Sequence, residues 1–231
     1  MLICGLQKLT LLDYPEKMAC TVFTGGCNFR CPFCHNASLV LQPGRDGVIP
    51  EQEVFDLLEK RRGVLDGVCV TGGEPLLQPD LAAFLEKIHQ MGFLVKLDTN
   101  GASPEALAAL LEAGLADYVA MDLKSSRETY GKVIGVPGYD PAPVEKSVAL
   151  LLRGGVPYEF RTTAVRGLHT KADFAAMADW IAGAEHYYLQ GFVDSGELIG
   201  SGLAAFSADE MRELLGIVRA KVPSAALRGV E

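Results

Sequence analysis

No stretch of the 231 residues stays apolar for the roughly 18 positions that a membrane-spanning helix needs, so the sequence offers no candidate span. Positive charge is also scarce. Lys and Arg number 21 against 29 Asp and Glu, a formal net charge of −8, and the one basic cluster, Lys60-Arg61-Arg62, is too short to neutralise a nucleic-acid backbone. Neither nucleic acid nor a membrane is expected as a partner. Residues Met1 to Leu12 lack a basic run leading into an apolar one, which points to a cytoplasmic protein. Repeats, low-complexity tracts and linker-like runs are missing too, so one domain over residues 1–231 is expected. What is present suits folding: 49% hydrophobic and 22% charged residues can bury a sizeable core.

Short apolar or β-branched runs alternate with helical periodicity, the pattern of repeated β-α units around a parallel sheet. Six strands are expected, at Met18 to Thr24, Leu65 to Thr71, Phe93 to Asp98, Leu115 to Asp122, Pro157 to Val165 and Glu185 to Gly191. Helices are expected at Glu51 to Arg62, Gln78 to Met91, Pro104 to Ala113, Pro141 to Arg153, Lys171 to Ala182 and Ala208 to Ala220. Ser103-Pro104-Glu105 and Ser207-Ala208-Asp209-Glu210 carry helix-start signals. Six units, against eight in a closed barrel, predict a partial TIM-like (β/α)6 barrel with a lateral opening.

Three of the six cysteines crowd into the loop after the first strand, as Cys27-x3-Cys31-x2-Cys34. Cysteines so clustered, in a chain with no secretory signal, suggest metal rather than disulfides. Three thiolates can hold three irons of a four-iron cluster, and no fourth nearby cysteine completes the set, so one iron would stay open for a ligand. A zinc site completed by His35, or thiols that merely lie close, remain the alternatives. Cys4, Cys20 and Cys69 read as small buried hydrophobes. His89, His169 and His186 show no ligand spacing.

Polar motifs end the next strands, where parallel α/β sheets place their sites. Thr71-Gly72-Gly73-Glu74-Pro75 lets a ligand approach the backbone and offers carbonyls and a carboxylate to an ammonium group. As a plain strand-to-helix turn it is equally ordinary. Asp98-Thr99-Asn100-Gly101 and Met121-Asp122-Leu123-Lys124 follow the third and fourth strands. Arg161 lies in the fifth strand, and Gln190 and Phe192 at the end of the sixth.

The cysteine loop resembles that of the radical S-adenosylmethionine (SAM) superfamily. The segment from Leu9-Thr10-Leu11-Leu12-Asp13-Tyr14-Pro15 through Cys34-His35-Asn36 is similar to glycyl-radical-enzyme activases. The likeness is greatest to the activating proteins of anaerobic ribonucleoside-triphosphate reductase, with pyruvate formate-lyase activating enzyme a near relative. It runs through Thr71 to Leu77, Leu97 to Gly101 and Met121 to Lys124, and thins after about Arg161.

This resemblance implies that Cys27, Cys31 and Cys34 bind a [4Fe-4S] cluster whose open iron chelates the amino and carboxylate groups of SAM. Gly72, Gly73 and Glu74 would bind the methionyl amine. Asp98 and Thr99 would join the cofactor site with Lys124, which could instead simply pair with Asp122, and Arg161, which could instead reach to the sheet edge. Gln190 and Phe192 are placed by their strand end to meet the adenine, where an aromatic is more often core. Asp98 and Asp122 would hold a monovalent cation. One electron, from a flavodoxin or ferredoxin, would cleave the cofactor to a 5′-deoxyadenosyl radical that takes a hydrogen atom from a backbone glycine of a separate glycyl radical enzyme. The competing readings are an activase of another glycyl radical enzyme of the pyruvate formate-lyase type, a radical SAM enzyme acting on a small molecule, and a non-catalytic zinc or iron-sulfur module.

Overall fold

The computed structural model describes residues 1–230. Two strands open the chain, β1 (Ile3–Thr10) and β2 (Ala19–Thr24), paired antiparallel with register shifts along β1. Parallel strands then follow in chain order: β3 (Gly67–Gly72), β4 (Leu94–Thr99), β5 (Tyr118–Asp122), β6 (Tyr158–Arg166) and β7 (Tyr187–Gly191). The three-residue β9 (Ala226–Arg228) pairs parallel with β7 and ends the sheet, while β8 (Ala204–Ala205) pairs antiparallel with β6. The pairing path runs from β1 to β9 and does not close on itself among the described residues, which makes the sheet the partial barrel expected from six units.

Helices α2 (Glu51–Lys60), α3 (Leu81–Gln90), α4 (Pro104–Glu112), α6 (Ala142–Leu152) and α7 (Lys171–Trp180) are the crossovers, and α8 (Ala208–Arg219) leads into β9. Short helices α1 (Ala37–Leu41) and α5 (Tyr130–Val133) sit in the two longest loops. The Ser207 capping box forms, with Ser207 Oγ accepting from Glu210 N and the Glu210 carboxylate from Ser207 N. Thr170 and Asp173 build a second box at α7. Ser103, by contrast, makes no side-chain cap, and Pro104 alone sets the start of α4.

Side chains alternate across a strand, and this sheet separates chemistry by face. Val68, Val70, Val95, Leu97, Val119, Met121, Phe160 and Leu189 are fully buried in the apolar core with the helices. The register sets Cys69 beside Lys96, Asp98 beside Ala120, Asp122 beside Arg161 and Thr163 beside Gln190, a polar layer on the concave face. Tyr14, from the β1–β2 connection, is buried with its ring 6.0 Å from that of Tyr118. No helix among the described residues is long and apolar enough to cross a membrane.

Candidate functional site

A cavity of about 400 Å³ opens at the carboxyl ends of the parallel strands, within the size range of small-molecule sites. One wall is the loop after β2. Gly26 turns it with φ +87°, and Gly26 O accepts from Glu74 N at 2.8 Å, fastening the loop to the Gly72-Gly73 turn. Arg30 N donates to Ile134 O at 2.8 Å, and Gly200 N donates to Pro32 O at 2.7 Å. Phe29 packs edge-on against Tyr139 at 5.2 Å. The loop so held presents Cys27, Cys31 and Cys34 to one cavity, all as free thiols. Burial pushes the Cys27 and Cys31 thiols up, Cys31 to about 12, while the Lys124 ammonium pulls both the other way.

The opposite wall is a chain of ion pairs. Arg161 spans two carboxylates, with Asp122 Oδ1 at 2.9 Å and Asp98 Oδ2 at 3.1 Å. The remaining oxygens are taken as well: Lys96 pairs with Asp98 Oδ1, and Lys124 with Asp122 Oδ2 at 3.0 Å. Burial alone would raise the Asp122 carboxyl, but Arg161 and Lys124 outweigh it and hold it at about 2; Asp98 is lowered in the same way by Arg161 and Lys96. Lys124 is anchored from behind, because buried His169 takes Val165 N–H on Nδ1 at 3.1 Å and so donates Nε2–H to Lys124 O at 2.8 Å. Beneath this wall, Arg228 grips both oxygens of buried Glu159 at 2.8 Å each.

Between the walls lies Glu74, 1% exposed. Its Oε1 accepts from Thr99 Oγ1 at 2.7 Å and Leu76 N at 3.1 Å, and its Oε2 from Asn100 N at 2.7 Å. Burial pushes this carboxyl up to about 7 despite the three donors.

The family model describing the radical SAM superfamily matches residues 21–181. The chain belongs to the radical SAM superfamily. A protein of Methanocaldococcus jannaschii, provisionally named a glycyl-radical enzyme activating enzyme, is 29% identical over 99% of this chain and 96% of its own length. A Saccharolobus islandicus protein provisionally named GTP 3′,8-cyclase is 31% identical over 49% of this chain and 37% of its own. Among solved structures, a domain of pyruvate-formate lyase-activating enzyme from Bacteroides vulgatus superposes with TM-score 0.58 at 21% identity, over 71% of this chain and 99% of that one. Streptococcus suis SuiB bound to S-adenosylmethionine superposes with TM-score 0.67 at 15% identity, over 88% of this chain and 48% of that one. At these identities the two structures speak for the fold.

Radical SAM proteins work with a [4Fe-4S] cluster and SAM, and the cavity suits both. Three free thiols share one wall, and the cationic Lys124 and Arg161 face them across a space large enough for a cofactor. His35, the fourth ligand of the zinc alternative, bonds through Nε2 to Val193 O at 2.7 Å, which leaves Nδ1 as its ring nitrogen for a metal. A monovalent cation between Asp98 and Asp122 does not fit: all four carboxylate oxygens already face protonated nitrogens, and the Arg161 guanidinium lies where that ion would sit.

The structure brings Gly72, Gly73, Glu74, Asp98, Thr99, Asp122, Lys124, Arg161 and Gln190 to the same cavity as the cysteines. Phe192 is not among the lining residues. It is buried behind His35, rings stacked 6.0 Å apart, so His35 is the ring at the surface of the cavity there. The Glu74 carboxylate, expected to meet an ammonium group, is occupied by protein donors and ties the Gly72-Gly73 turn to Thr99 and Asn100. Sequence reasoning missed Asp13 and Asn100 as lining residues. Asp13 arrives from the far side of β2, its Oδ2 accepting from Thr21 Oγ1 at 2.6 Å. No spacing rule links it to the cysteines, yet both it and Asn100 lay inside segments already singled out, Asp13 in Leu9 to Pro15 and Asn100 in Asp98 to Gly101.

Proposed function

We propose that Cys27, Cys31 and Cys34 hold the [4Fe-4S] cluster and that the chain, as one domain, installs a glycyl radical on a partner enzyme, with anaerobic ribonucleoside-triphosphate reductase as that partner. The full-length alignment carries this reading: likeness to the provisionally named activating enzyme extends over 99% of the chain. The likeness to the cyclase covers about half, as a shared radical SAM core would.

When bound and reduced by one electron from a flavodoxin or ferredoxin, the cluster supplies reductive cleavage of SAM and hence a hydrogen-abstracting radical. The chain's own residues position and shield. Gly72 and Gly73 leave the backbone bare, so the amino group of SAM can approach the carbonyls there. Lys124 and Arg161 supply positive charge for its carboxylate, and Gln190, at the end of β7, offers an amide to the adenine. Thiols lose their protons on ligating iron, and Lys124 favours the thiolates of Cys27 and Cys31. The sheet does not close between β1 and β9 among the described residues, and we take that open side as the access route for a protein loop. The protein acts in the cytoplasm, where a low-potential electron carrier is at hand and where neither nucleic acid nor membrane takes part.

The test is anaerobic incubation of the reconstituted protein with SAM, a reductant and the purified reductase, followed by electron paramagnetic resonance. A glycyl radical signal on the reductase is expected. SAM cleavage without any such signal would overturn this choice of partner, and cleavage stimulated instead by a small molecule would favour the small-molecule enzyme.

A further inference from the structure

Asn100 occupies a position that the reading above leaves without a task. Its backbone N–H is fixed to Glu74 Oε2 at 2.7 Å, and its side-chain Oδ1 accepts from Ala102 N at 2.9 Å. An amide whose oxygen is committed to a backbone N–H has only one orientation left, so the Nδ2 group must point the other way. It points at the cysteine loop, 2.8 Å from Asn28 Oδ1 and 3.7 Å from Cys27 Sγ. Two protons meet two acceptors, and the residue is 5% exposed, so water does not compete freely for either. Cys27 Sγ also takes the Phe29 N–H at 3.4 Å.

We propose that Asn100 tunes the iron-sulfur centre by donating a hydrogen bond to the Cys27 sulfur, which raises the reduction potential of the cluster. The inference rests on Cys27 being a cluster ligand. Once bound to iron the sulfur has lost its proton and is an acceptor only. On reduction the cluster takes up one electron from an external donor, no bond forms or breaks, and part of the added negative charge resides on the cysteine sulfurs. A fixed N–H dipole aimed at one of them stabilises the reduced state more than the oxidised state, and with Asn100 itself 5% exposed little solvent screens the donor. Glu74 is the support. By gripping Thr99 and the Asn100 backbone it holds the turn that aims the amide, coupling the Gly72-Gly73-Glu74 segment to the electron acceptor as well as to the cofactor's amino group.

The experiment is a dithionite redox titration, followed by electron paramagnetic resonance, of the reconstituted protein without SAM. Wild type, Asn100→Ala and Asn100→Asp are compared. Asn100→Ala removes the donor. Asn100→Asp keeps the shape and the acceptor for Ala102 N–H but turns a negative oxygen toward the sulfur. Both variants are expected to carry the wild-type content of iron and sulfide and to reduce at more negative potentials, Asn100→Asp the more so. Unchanged potentials in both variants would overturn the proposal, including the case where only the affinity for SAM falls, which would make Asn100 a cofactor residue. If Asn100→Ala fails to assemble, Asn100→Asp decides; failure of both to assemble overturns the proposal, because a tuning donor is dispensable for ligation. A wild-type protein that takes up no [4Fe-4S] cluster would instead refute the functional reading beneath.

Discussion

Replacing Gly73 by alanine should pull the two halves of the site apart. A Cβ built on Gly73 lies 1.9 Å from Gly26 O and 2.6 Å from Gly26 C, both backbone atoms. Neither can swing aside as a side-chain tip would. Gly26 O is bonded to Glu74 N, Gly26 N to Leu39 O and Gly73 N to Thr24 O, each at 2.8 Å. Relief therefore requires the cysteine loop and the Gly72-Gly73 turn to separate, breaking at least the Gly26–Glu74 bond. Overpacking of a rigid site costs about 1–3 kcal/mol, and with a backbone hydrogen bond lost the upper end applies. For a chain of this size about 3 kcal/mol is a fall of roughly 6–12 °C in melting temperature. Gly26→Ala is the control: its Cβ meets nothing within 4 Å, so only the positive φ of +87° opposes it, at about 1–2 kcal/mol. Anaerobic thermal melts of the apo proteins and iron content after reconstitution give both readouts. A Gly73→Ala protein that melts within about 2 °C of wild type and binds as much iron would refute this account of how the loops are joined.

Three further outcomes follow from the buried charges. With Arg161 between Asp98 and Asp122, the melting temperature of the apo protein should be the same in potassium and tetramethylammonium salts at equal ionic strength; a specific rise in potassium would contradict the missing cation site. The Glu74 carboxyl, near 4.5 when unfolded and pushed up to about 7 by burial, holds a proton in the folded state that the unfolded state lacks between those values. Stability relative to Glu74→Gln should therefore fall as pH rises from 4.5 to 7 and level off above, by at most about 3 kcal/mol, measured by denaturant titration. Arg228→Met leaves Glu159 buried with one grip fewer and should cost about 3 kcal/mol, part of which Glu159→Gln restores in the double variant; no recovery in a denaturant melt would deny the pairing.

The sequence made the six parallel strands legible because each is a short apolar or β-branched run bounded by turn residues, and the observed boundaries of β2 to β7 fall within a few residues of the expected ones. Strand β1 escaped because Gln7, Lys8 and Leu9 face solvent and its pairing with β2 is shifted along its length, so no clean alternation marks it. Strand β9, at three residues, is too short to leave a pattern. Motifs at strand ends placed most of the cavity, since parallel strands deliver their carboxyl ends to one side whatever the loops do. What the sequence hid was buried charge and pairing at a distance. Nothing in Lys96 or Glu159 announces a fully buried charge: Lys96 is held by Asp98, two residues along the same strand and on the same face, and Glu159 by Arg228, which reaches it from β9 across β7. Phe192 was misplaced because a strand-end aromatic gives no sign that His35, more than 150 positions earlier, will lie across it.

The central claim is that this cavity is a working radical SAM site. Anaerobic reconstitution with iron and sulfide, reduction in the presence of SAM, and chromatography for 5′-deoxyadenosine and methionine test it most directly. The account predicts both products from the wild type and neither from Cys31→Ala. A reducible cluster that leaves SAM intact, or a protein that holds zinc and takes up no iron, would contradict it.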